Sequence, residues 1–516
     1  MDNGVGRWIY KHAIINPRRT ALQYGDREIT YRELNERTNR LADALRQRGV
    51  QRGDRVCILS TNSAEFLEAL FATAKVGAIF VPINFRLAGP EVAYVLGNAR
   101  PKVLLYSGNM AQTVDVALKQ DGVEQPVLIA METADVPEGR ESFEDVIASG
   151  SPENNEQDVD KSDVAMIMYT SGTTGFPKGA MITHGNIEAN NINIMAMANG
   201  ISKYDTTVTP APLFHIGGLA VHTLPLLFLG GRTVVLPAFD PAGTLKAMAD
   251  NEATVQFLVP AMWAAMTQVP DFDSYDVSNM RYAISGGAPC PIPVIEFFQG
   301  KGWDFIEGFG MTETCAGATG LNKEDVVDHA GSVGMPALLT EARVVDEIAE
   351  DVPTGTVGEL ILRGPNVFIG YWEMADATRD AIRDGWFHTG DMARVDDDGF
   401  VTLVDRKKDM IITGGENVYP IEIEQVLHRH PAIADVAVIG VPDEKWGETV
   451  KAVVVASPGQ QLEADEVIAY ARENLAHFKC PTTVEIIDEL PRNATGKILK
   501  RTLRETFTGR GESVTR

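Results

Sequence analysis

The stretch YTSGTTGFPKGAMITHGN, from Tyr169 to Asn186, joins a loop rich in glycine and hydroxyl groups to a lysine. The apolar segment DVAMIMY, which ends at Tyr169, precedes the loop and is short enough for a buried strand. Seven of the ten residues from Thr170 to Gly179 are Gly, Ser or Thr. Because the amides and hydroxyls of such a loop can converge on phosphate oxygens, the stretch predicts a strand that leads into a phosphate-binding loop.

Two other interpretations of this loop have to be weighed. A kinase-type loop needs the pattern GxxxxGK followed by Ser or Thr, because that hydroxyl holds magnesium. Counting from Gly172, the chain has Pro177 in place of the second Gly and Gly179 in place of the hydroxyl residue, so this interpretation fails. A plain surface turn stays open on the stretch alone, since Gly and Ser are common in turns.

The bulk composition narrows the function classes. A chain of 516 residues is too long for one core, so two to four domains are expected. The net charge of −25 argues against nucleic acid as a partner, because phosphate backbones repel such a surface. No signal peptide or membrane-length apolar run is present, which favours the cytoplasm. No CxxC pair occurs, and each cysteine is expected to be a small core residue: Cys57, Cys290, Cys315 and Cys480.

Helical and strand patterns alternate along most of the chain, which predicts an α/β fold with parallel strand pairing. One helix is predicted from Thr30 to Val50, with Thr30 as its cap and Gly49 at its end. After about Arg363 turn signals and short β-like runs dominate. The last hundred or so residues are predicted to form a small separate α+β domain, with a hinge near Lys408.

The stretch that contains Tyr169 to Asn186 resembles the phosphate-binding signature of the adenylate-forming superfamily, which includes acyl-CoA synthetases, amino-acid adenylation domains and luciferases. The resemblance extends over essentially the whole chain and is nearest to stand-alone carboxylate:CoA ligases. It implies a large N-terminal domain of several subdomains with layered sheets and helices (1–407) and a small mobile α+β C-terminal domain (408–516). Six further motifs follow in the family's order: APLFHIGGL, ISGGAP, GFGMTET, GWFHTGD, DRKKDMIITGGENVYPIEIE and PRNATGKILK.

The resemblance implies a reaction in two halves that uses ATP, Mg²⁺ and coenzyme A. A carboxylate oxygen attacks the α-phosphate of ATP to give acyl-AMP and pyrophosphate. The CoA thiol then attacks the acyl carbon and AMP leaves. Such transfer needs positioning and charge neutralisation. The residues implied to bind ATP or AMP are Thr170, Ser171, Gly172, Thr173, Thr174, Lys178, Gly286, Gly287, Ala288, Pro289, Gly308, Phe309, Gly310, Asp391 and Arg406.

Three residues are implied to be catalytic. Thr312 would hydrogen-bond the α-phosphate, and Glu313 would be the magnesium ligand, since Mg²⁺ favours one or two carboxylates with phosphate oxygens. Lys497 would bridge the carboxylate and the α-phosphate during adenylation. In isolation Glu313 would be interpreted as a helix-start carboxylate and Lys497 as a solvated charge.

The small domain is implied to rotate between the two half-reactions about Lys408. Hinge residues absorb the change in φ and ψ that such a rotation needs. Phe309 stands where the family often has Tyr, which leaves the face for stacking on adenine intact. The residues implied to contact CoA are Gly414, Gly415, Glu416, Trp446 and Phe478, although the two aromatic residues are as readily interpreted as core.

The acyl substrate is implied to contact His215, Gly310 and Met311. The segments FHIGGLAVH, VPAMWAAM and ETCAGATG contain no charged residue other than Glu313, so an amino acid has no partner for its ammonium group. Small residues would leave volume, and Met262, Trp263 and Met266 would form apolar walls. A medium or long fatty acid is the first expectation and a bulky cyclic or terpenoid acid the second.

Other functions stay open at this point. The acyl group could pass to a separate carrier protein, or the chain could be a half-active or non-catalytic relative that only binds adenylate. The oligomeric state is also open, a homodimer included.

Overall fold

The computed structural model describes residues 4–132, 136–170, 177–197, 200–288, 290–325, 328–329, 331–406, 409–413, 416–443, 446–492 and 498–508; of residues 323, 405, 406, 417 and 508 it describes the backbone alone. Within these ranges, helices alternate with strands that form five sheets. The α/β prediction is confirmed. The predicted domain boundary at 407/408 falls on two residues outside the described ranges.

Most of the strands are short, but three of them have ten or eleven residues. They are β1 Thr20–Tyr24, β2 Arg27–Thr30, β3 Arg55–Leu59, β4 Ile79–Ile83, β5 Val103–Ser107, β6 Val127–Met131, β7 Glu141–Ser142, β8 Val164–Thr170, β9 Lys178–Thr183, β10 Thr206–Thr209, β11 Arg232–Val235, β12 Val255–Leu258, β13 Tyr282–Ser285, β14 Asp304–Phe309, β15 Thr319–Gly320, β16 Met335–Pro336, β17 Glu341–Val345, β18 Gly358–Arg363, β19 Ile382–Arg383, β20 Trp386–Val395, β21 Val401–Arg406, β22 Ile411–Thr413, β23 Glu416–Val418, β24 Ile433–Asp443, β25 Gly447–Ala456 and β26 Thr483–Ile486.

The helices lie between these strands. They are α1 Gly6–Ile15, α2 Tyr31–Gln47, α3 Ala64–Val76, α4 Gly89–Ala99, α5 Ala111–Ala117, α6 Phe143–Ser149, α7 His184–Ala196, α8 Ile216–Gly218, α9 Leu224–Leu229, α10 Pro241–Asp250, α11 Pro260–Met266, α12 Ile292–Gly300, α13 Ala375–Ala381, α14 Pro420–Leu427, α15 Ala464–Asn474 and α16 Lys500–Thr508. A π-helical turn, Leu219–Thr223, joins α8 to α9. Short 3₁₀ turns are Gly108–Met110, Phe272–Ser274, Thr312–Thr314, Lys323–Asp325 and His477–Lys479.

Two of the sheets are largely parallel. The seven-stranded sheet has the order β7-β6-β5-β3-β4-β8-β9, and its only antiparallel pair in the described part of the chain is β8 with β9. The second sheet has the order β12-β13-β14-β15-β16, of which the first three strands are parallel. Ligands of such sheets bind beyond the carboxyl ends of the strands.

The other sheets complete the scaffold. Strands β10, β11, β1 and β2 form one sheet, in which β1 from the start of the chain pairs in parallel with β11. Strands β17 to β21 form an antiparallel sheet, in which a short turn joins β20 to β21. The C-terminal sheet has the order β23-β22-β25-β24 with β26 in parallel on β25, so the prediction of α+β structure there is confirmed.

Local signals explain where helices begin and end. Helix α2 starts with a capping box, in which Thr30 Oγ1 accepts the Glu33 amide at 3.3 Å and Glu33 Oε2 accepts the Thr30 amide at 2.8 Å. The Thr30 amide and the Thr30 hydroxyl, which both donate to the Glu33 carboxylate, lower the pKa of Glu33. Helix α3 ends at Gly77, whose φ of 74° is a left-handed conformation that favours glycine.

Successive side chains along the strands of the second sheet point to opposite faces and belong to two different cores. Phe257, Ile284 and Ile306 belong to the core that includes the π-helical turn. Their strand neighbours Leu258, Ala283 and Phe305 belong to a second core on the opposite face. Trp263 and Met266 are fully buried in that second core, so their predicted role as acyl-pocket walls is wrong. The four cysteines are all buried, as expected.

Candidate active site

The β8–β9 hairpin presents the phosphate loop. Thr170 pairs with Lys178 across the hairpin, and Thr170 Oγ1 donates to the Lys178 carbonyl at 3.4 Å. The two ends of the loop are therefore held side by side at one edge of the seven-stranded sheet. Ser171, Gly172, Thr173 and Thr174 lie outside the described residues.

A second segment, Ile369 to Trp372, runs along β9. The Met181 amide donates to the Gly370 carbonyl at 2.9 Å, and the Trp372 amide donates to the Gly179 carbonyl at 2.7 Å. The Nζ atom of Lys178 lies 5.2 Å from the ring centroid of Tyr371, which is within cation–π range. This segment therefore lies directly beside the exit of the phosphate loop.

The same tyrosine reaches the GFGMTET motif. Tyr371 donates from its hydroxyl to Glu313 Oε1 at 2.9 Å. Burial and the adjacent carboxylate raise the pKa of Tyr371, so its hydroxyl remains a donor at neutral pH. Glu313 and Thr312 sit on the 3₁₀ turn after β14, and each is 8% exposed. The structure thus brings Lys178 and Glu313 to the same tyrosine, with Lys178 over the ring and Glu313 at the hydroxyl.

The segments predicted to bind adenine follow adjacent parallel strands. Gly286, Gly287 and Ala288 follow β13, and Gly308 to Gly310 complete and follow β14. A Cβ atom on Gly286 would lie 3.2 Å from the Gly308 carbonyl oxygen, so glycine permits close backbone approach there. Pro289 lies outside the described residues.

Glu307, next to Gly308, is a buried carboxyl group below this turn. Glu307 Oε1 accepts the Cys290 amide at 3.0 Å. Burial raises the pKa of Glu307 from 4.5 to about 7, against the opposing effect of hydrogen bonds from the Cys290 and Gly331 amides. Glu307 therefore ties the segment that follows β13 to β14, the strand that precedes Thr312 and Glu313.

Asp391 and Arg406 occupy opposing positions on the antiparallel strands β20 and β21. Asp391 is 6% exposed, and its amide donates to Thr389 Oγ1 at 3.0 Å. A carboxylate held in this way can accept both hydroxyls of a ribose. The side chain of Arg406 is outside the described atoms, so its predicted contact with ribose or phosphate remains a prediction.

Two of the segments predicted to bind substrate meet around Phe257. A Cβ atom on Gly217, two residues after His215, would lie 3.0 Å from Phe257 Cζ, and one on Gly286 would lie 3.5 Å from Phe257 Cε2. The ring therefore fills the space between the His215 segment and the adenine turn. At Gly310 a Cβ atom would coincide with the Ala316 carbonyl. Glycine at this position permits the close packing of the two backbones.

The predicted CoA residues that are described lie on the C-terminal sheet. Thr413 pairs with Glu416 across residues 414–415 and also with Gly447, the neighbour of Trp446. The 3₁₀ turn that contains Phe478 lies against β23, and Trp446 and Phe478 are 49% and 43% exposed. The core interpretation of these two aromatics is therefore wrong. Gly414, Gly415, Lys408 and Lys497 lie outside the described residues.

Comparison with known families identifies this arrangement. A model described as "AMP-binding enzyme" matches residues 10–372, and one described as "AMP-binding enzyme C-terminal domain" matches residues 422–497.

The chain belongs to the AMP-binding enzyme family.

Similar proteins extend over its whole length. A feruloyl-CoA synthase of Amycolatopsis sp is 41% identical over 98% of this chain and 99% of its own. A long-chain-fatty-acid–CoA ligase of Mycobacterium tuberculosis is 36% identical over 98% of each. The crystal structure of an anthranilate CoA ligase with anthranoyl-AMP superimposes with a TM-score of 0.91 at 28% identity, covering 98% of this chain and 97% of the ligase.

This member of the AMP-binding family is an AMP-forming acyl-CoA synthetase. Its substrates include ATP and CoA, and it uses Mg²⁺. Glu313 suits this ion, because it is a buried carboxylate beside the phosphate loop and Mg²⁺ takes few protein ligands when phosphates supply the others. No group of three or more His, Cys, Asp or Glu that could hold a metal occurs among the described residues. Within the same ranges, no helix is both long and apolar enough to cross a bilayer.

Three residues that contact the predicted site segments were not found from the sequence: Tyr371, Glu307 and Phe257. Tyr371 lies in the unremarked stretch FIGYWEM, 58 residues after Glu313. A single tyrosine after a glycine carries no periodic or motif signal. Glu307 stands directly before the GFG motif, at the end of an apolar run that predicts a buried strand. The one signal for a special role was its charge, because glutamate is rarely buried without a partner.

Proposed function

We propose that this synthetase ligates a hydrophobic carboxylic acid to CoA, with Thr312, Glu313 and Lys497 as the catalytic residues. The observation that carries the assignment is the Lys178–Tyr371–Glu313 contact, which unites the phosphate loop with the GFGMTET turn. Both elements lie where phosphate charge has to be neutralised during adenylation.

In the first half-reaction a carboxylate oxygen forms a bond to the α-phosphorus of ATP, and the bond to pyrophosphate breaks. Lys178 and the loop Thr170 to Thr174 hold the β- and γ-phosphates. Thr312 donates to the α-phosphate, and Lys497 bridges that phosphate and the carboxylate. Glu313 would hold Mg²⁺, which supplies neutralisation of phosphate charge. Asp391 and Arg406 orient the ribose, and the turn from Gly286 to Pro289 with Phe309 encloses the adenine.

In the second half-reaction the CoA sulfur forms a bond to the acyl carbon, and the carbon–oxygen bond to AMP breaks. The thiol proton leaves to solvent or a nearby base. We propose that residues 408–516 rotate about Lys408 between the two steps. The exposed pair Trp446 and Phe478, with Gly414 to Glu416, then forms the face that contacts CoA. Exposed aromatic side chains on a small domain support this, since such surfaces usually mark interaction sites.

We further propose that the acid is compact and ring-bearing rather than long-chain. Phe257 fills the space between Gly217 and Gly286, which limits how far a chain could extend between α8 and the turn after β13. The 41%-identical feruloyl-CoA synthase also supports an aromatic acid. His215 would contact the carboxylate end, together with Gly310 and Met311.

The test is incubation with ATP, Mg²⁺, CoA and a panel of cinnamic, arylacetic, medium-chain and long-chain acids, with thioesters detected by mass spectrometry. We expect the ring-bearing acids to give the highest kcat/KM. Acid-dependent AMP release that occurs equally with and without CoA would refute the ligase assignment. Preference for long-chain acids would refute only the assignment of the substrate.

A further inference from the structure

Tyr371 contacts both groups that are proposed to neutralise phosphate charge. Its hydroxyl donates to Glu313 Oε1 at 2.9 Å, and its ring centroid lies 5.2 Å from Lys178 Nζ. These partners are separated by 135 residues in the chain, so neither motif holds the other by itself. The tyrosine is the side chain through which they meet.

The backbone of Tyr371 is fixed on both sides. Tyr371 forms an antiparallel bridge with Ala180 on β9, and its amide donates to Thr378 Oγ1 at 2.9 Å. The preceding Gly370 has φ of 135°, and a Cβ atom there would lie 2.5 Å from Thr378 Cγ2. Gly370 is therefore required for the turn that aims the tyrosine at Glu313.

The same segment also holds the backbone of Glu313. The Phe368 amide donates to the Glu313 carbonyl at 2.8 Å, and the Phe368 ring packs edge-on against Tyr371 at a centroid distance of 4.9 Å. The side chain and main chain of Glu313 are thus both bound by the stretch from Phe368 to Tyr371. This arrangement leaves the carboxylate few orientations.

We propose that Tyr371 is a positioning residue for adenylation, which orients Glu313 toward the metal on ATP and keeps Lys178 facing the phosphates. The inference rests on the proposed roles of Glu313 and Lys178. A carboxylate oxygen can accept a phenol hydrogen bond and still leave lone pairs for a metal. Partners of this kind typically contribute 10- to 100-fold to metal affinity or activity.

Tyr371→Phe isolates the hydroxyl, because the ring that faces Lys178 and Phe368 remains. ATP binding is measured by calorimetry against MgCl₂ concentration without any carboxylic acid, so that no turnover occurs. We expect the Mg²⁺ midpoint to rise by about 10-fold or more, with ATP binding in EDTA unchanged. Pyrophosphate exchange should fall by a similar factor, while thioester formation from preformed acyl-AMP stays within about twofold of wild type.

Tyr31→Phe is the matched control. Its buried hydroxyl donates to the Gly231 carbonyl at 2.8 Å, so this variant also loses one phenol hydrogen bond. It should leave the Mg²⁺ midpoint unchanged. If Tyr371→Phe fails to fold, Thr378→Val tests the same geometry by removing the acceptor of the Tyr371 amide, and its midpoint should rise.

Glu313→Gln separates failure of this inference from failure of the proposed function. If Glu313→Gln binds ATP with wild-type Mg²⁺ dependence, the metal role of Glu313 is refuted, and the inference with it. If Glu313→Gln loses that dependence while Tyr371→Phe keeps the wild-type midpoint, the positioning role of Tyr371 alone is refuted.

Discussion

Glu307→Gln is expected to make the enzyme more stable at neutral pH and to leave its stability unchanged in acid. Glu307 is 6% exposed, and burial raises its pKa from 4.5 to about 7. Glutamine has the same shape, and its Oε1 can still accept the Cys290 amide. The variant therefore removes the titration of Glu307 while keeping the hydrogen bond that holds the adenine segment.

The sign follows from proton linkage. Below pH 4.5 Glu307 is protonated in the folded and the unfolded chain, so its ionisation does not contribute. Between pH 4.5 and 7 the unfolded chain loses this proton first, because its carboxyl group has the lower pKa. The stability of the wild type therefore falls as pH rises through this window. Above the window, the contribution of Glu307 to stability no longer changes with pH. A rise of this size in pKa lowers the free energy of unfolding above this window by about 3 kcal/mol.

The assay compares unfolding of wild type and Glu307→Gln from pH 5 to pH 8. Other titrating groups are common to both proteins, so their effects cancel in the difference. The stability advantage of the variant should grow with pH up to about pH 7 and then level off. Glu296→Gln, on the exposed side of α12, removes the same formal charge from the surface and is the matched control. A difference for Glu307→Gln that does not depend on pH, or that is no larger than the difference for Glu296→Gln, would refute the reasoning.

Three further variants test the proposed function. Phe257→Ala should raise kcat/KM for longer acids by about fourfold per added methylene, because each buried methylene contributes ~0.8 kcal/mol. Phe305→Ala is its control, since Phe305 lies in the core on the opposite face of the sheet. Each variant should lower the free energy of unfolding by ~3 kcal/mol or more, but Phe305→Ala should not improve the turnover of longer acids. Lys497→Ala should lower pyrophosphate exchange by at least about 100-fold, as removal of a transition-state charge contact does, and should leave thioester formation from preformed acyl-AMP nearly intact. Equal loss of both half-reactions would contradict this role. Lys408→Pro should have the opposite pattern, with stopped-flow detection of slowed thioester formation at normal adenylation rates.

Much of the phosphate site was predictable because its signals are local. A buried strand, a Gly/Ser/Thr loop and a lysine follow one another within Val164 to Lys178, and the β8–β9 hairpin has this order. The helix cap at Thr30 and the helix end at Gly77 were also predictable, since a capping box and a left-handed glycine act over three or four residues.

Features that depend on which face of an element meets another were not predictable. Trp263 and Met266 looked suited to an acyl pocket by composition, but α11 packs them against the face of the second sheet that is turned away from His215. Gly310 was expected to contact substrate, and its Cα lies against the Ala316 carbonyl. In both cases the residue type was evident from the sequence, while the neighbour that it packs against was not.

The two glutamates around the GFG motif illustrate why site chemistry needs the structure. Glu307 and Glu313 lie six positions apart and both are buried. Glu307 receives backbone amides within an apolar core, and burial raises its pKa. Glu313 instead accepts a hydrogen bond from the Tyr371 hydroxyl, and Lys178 lies over the ring of the same tyrosine. An acid held by main-chain amides is suited to support a turn, whereas one held by a phenol beside a lysine is suited to share a metal with phosphates. That difference is made by Tyr371 from a distant segment, so the role of each glutamate depends on a partner that neither motif contains.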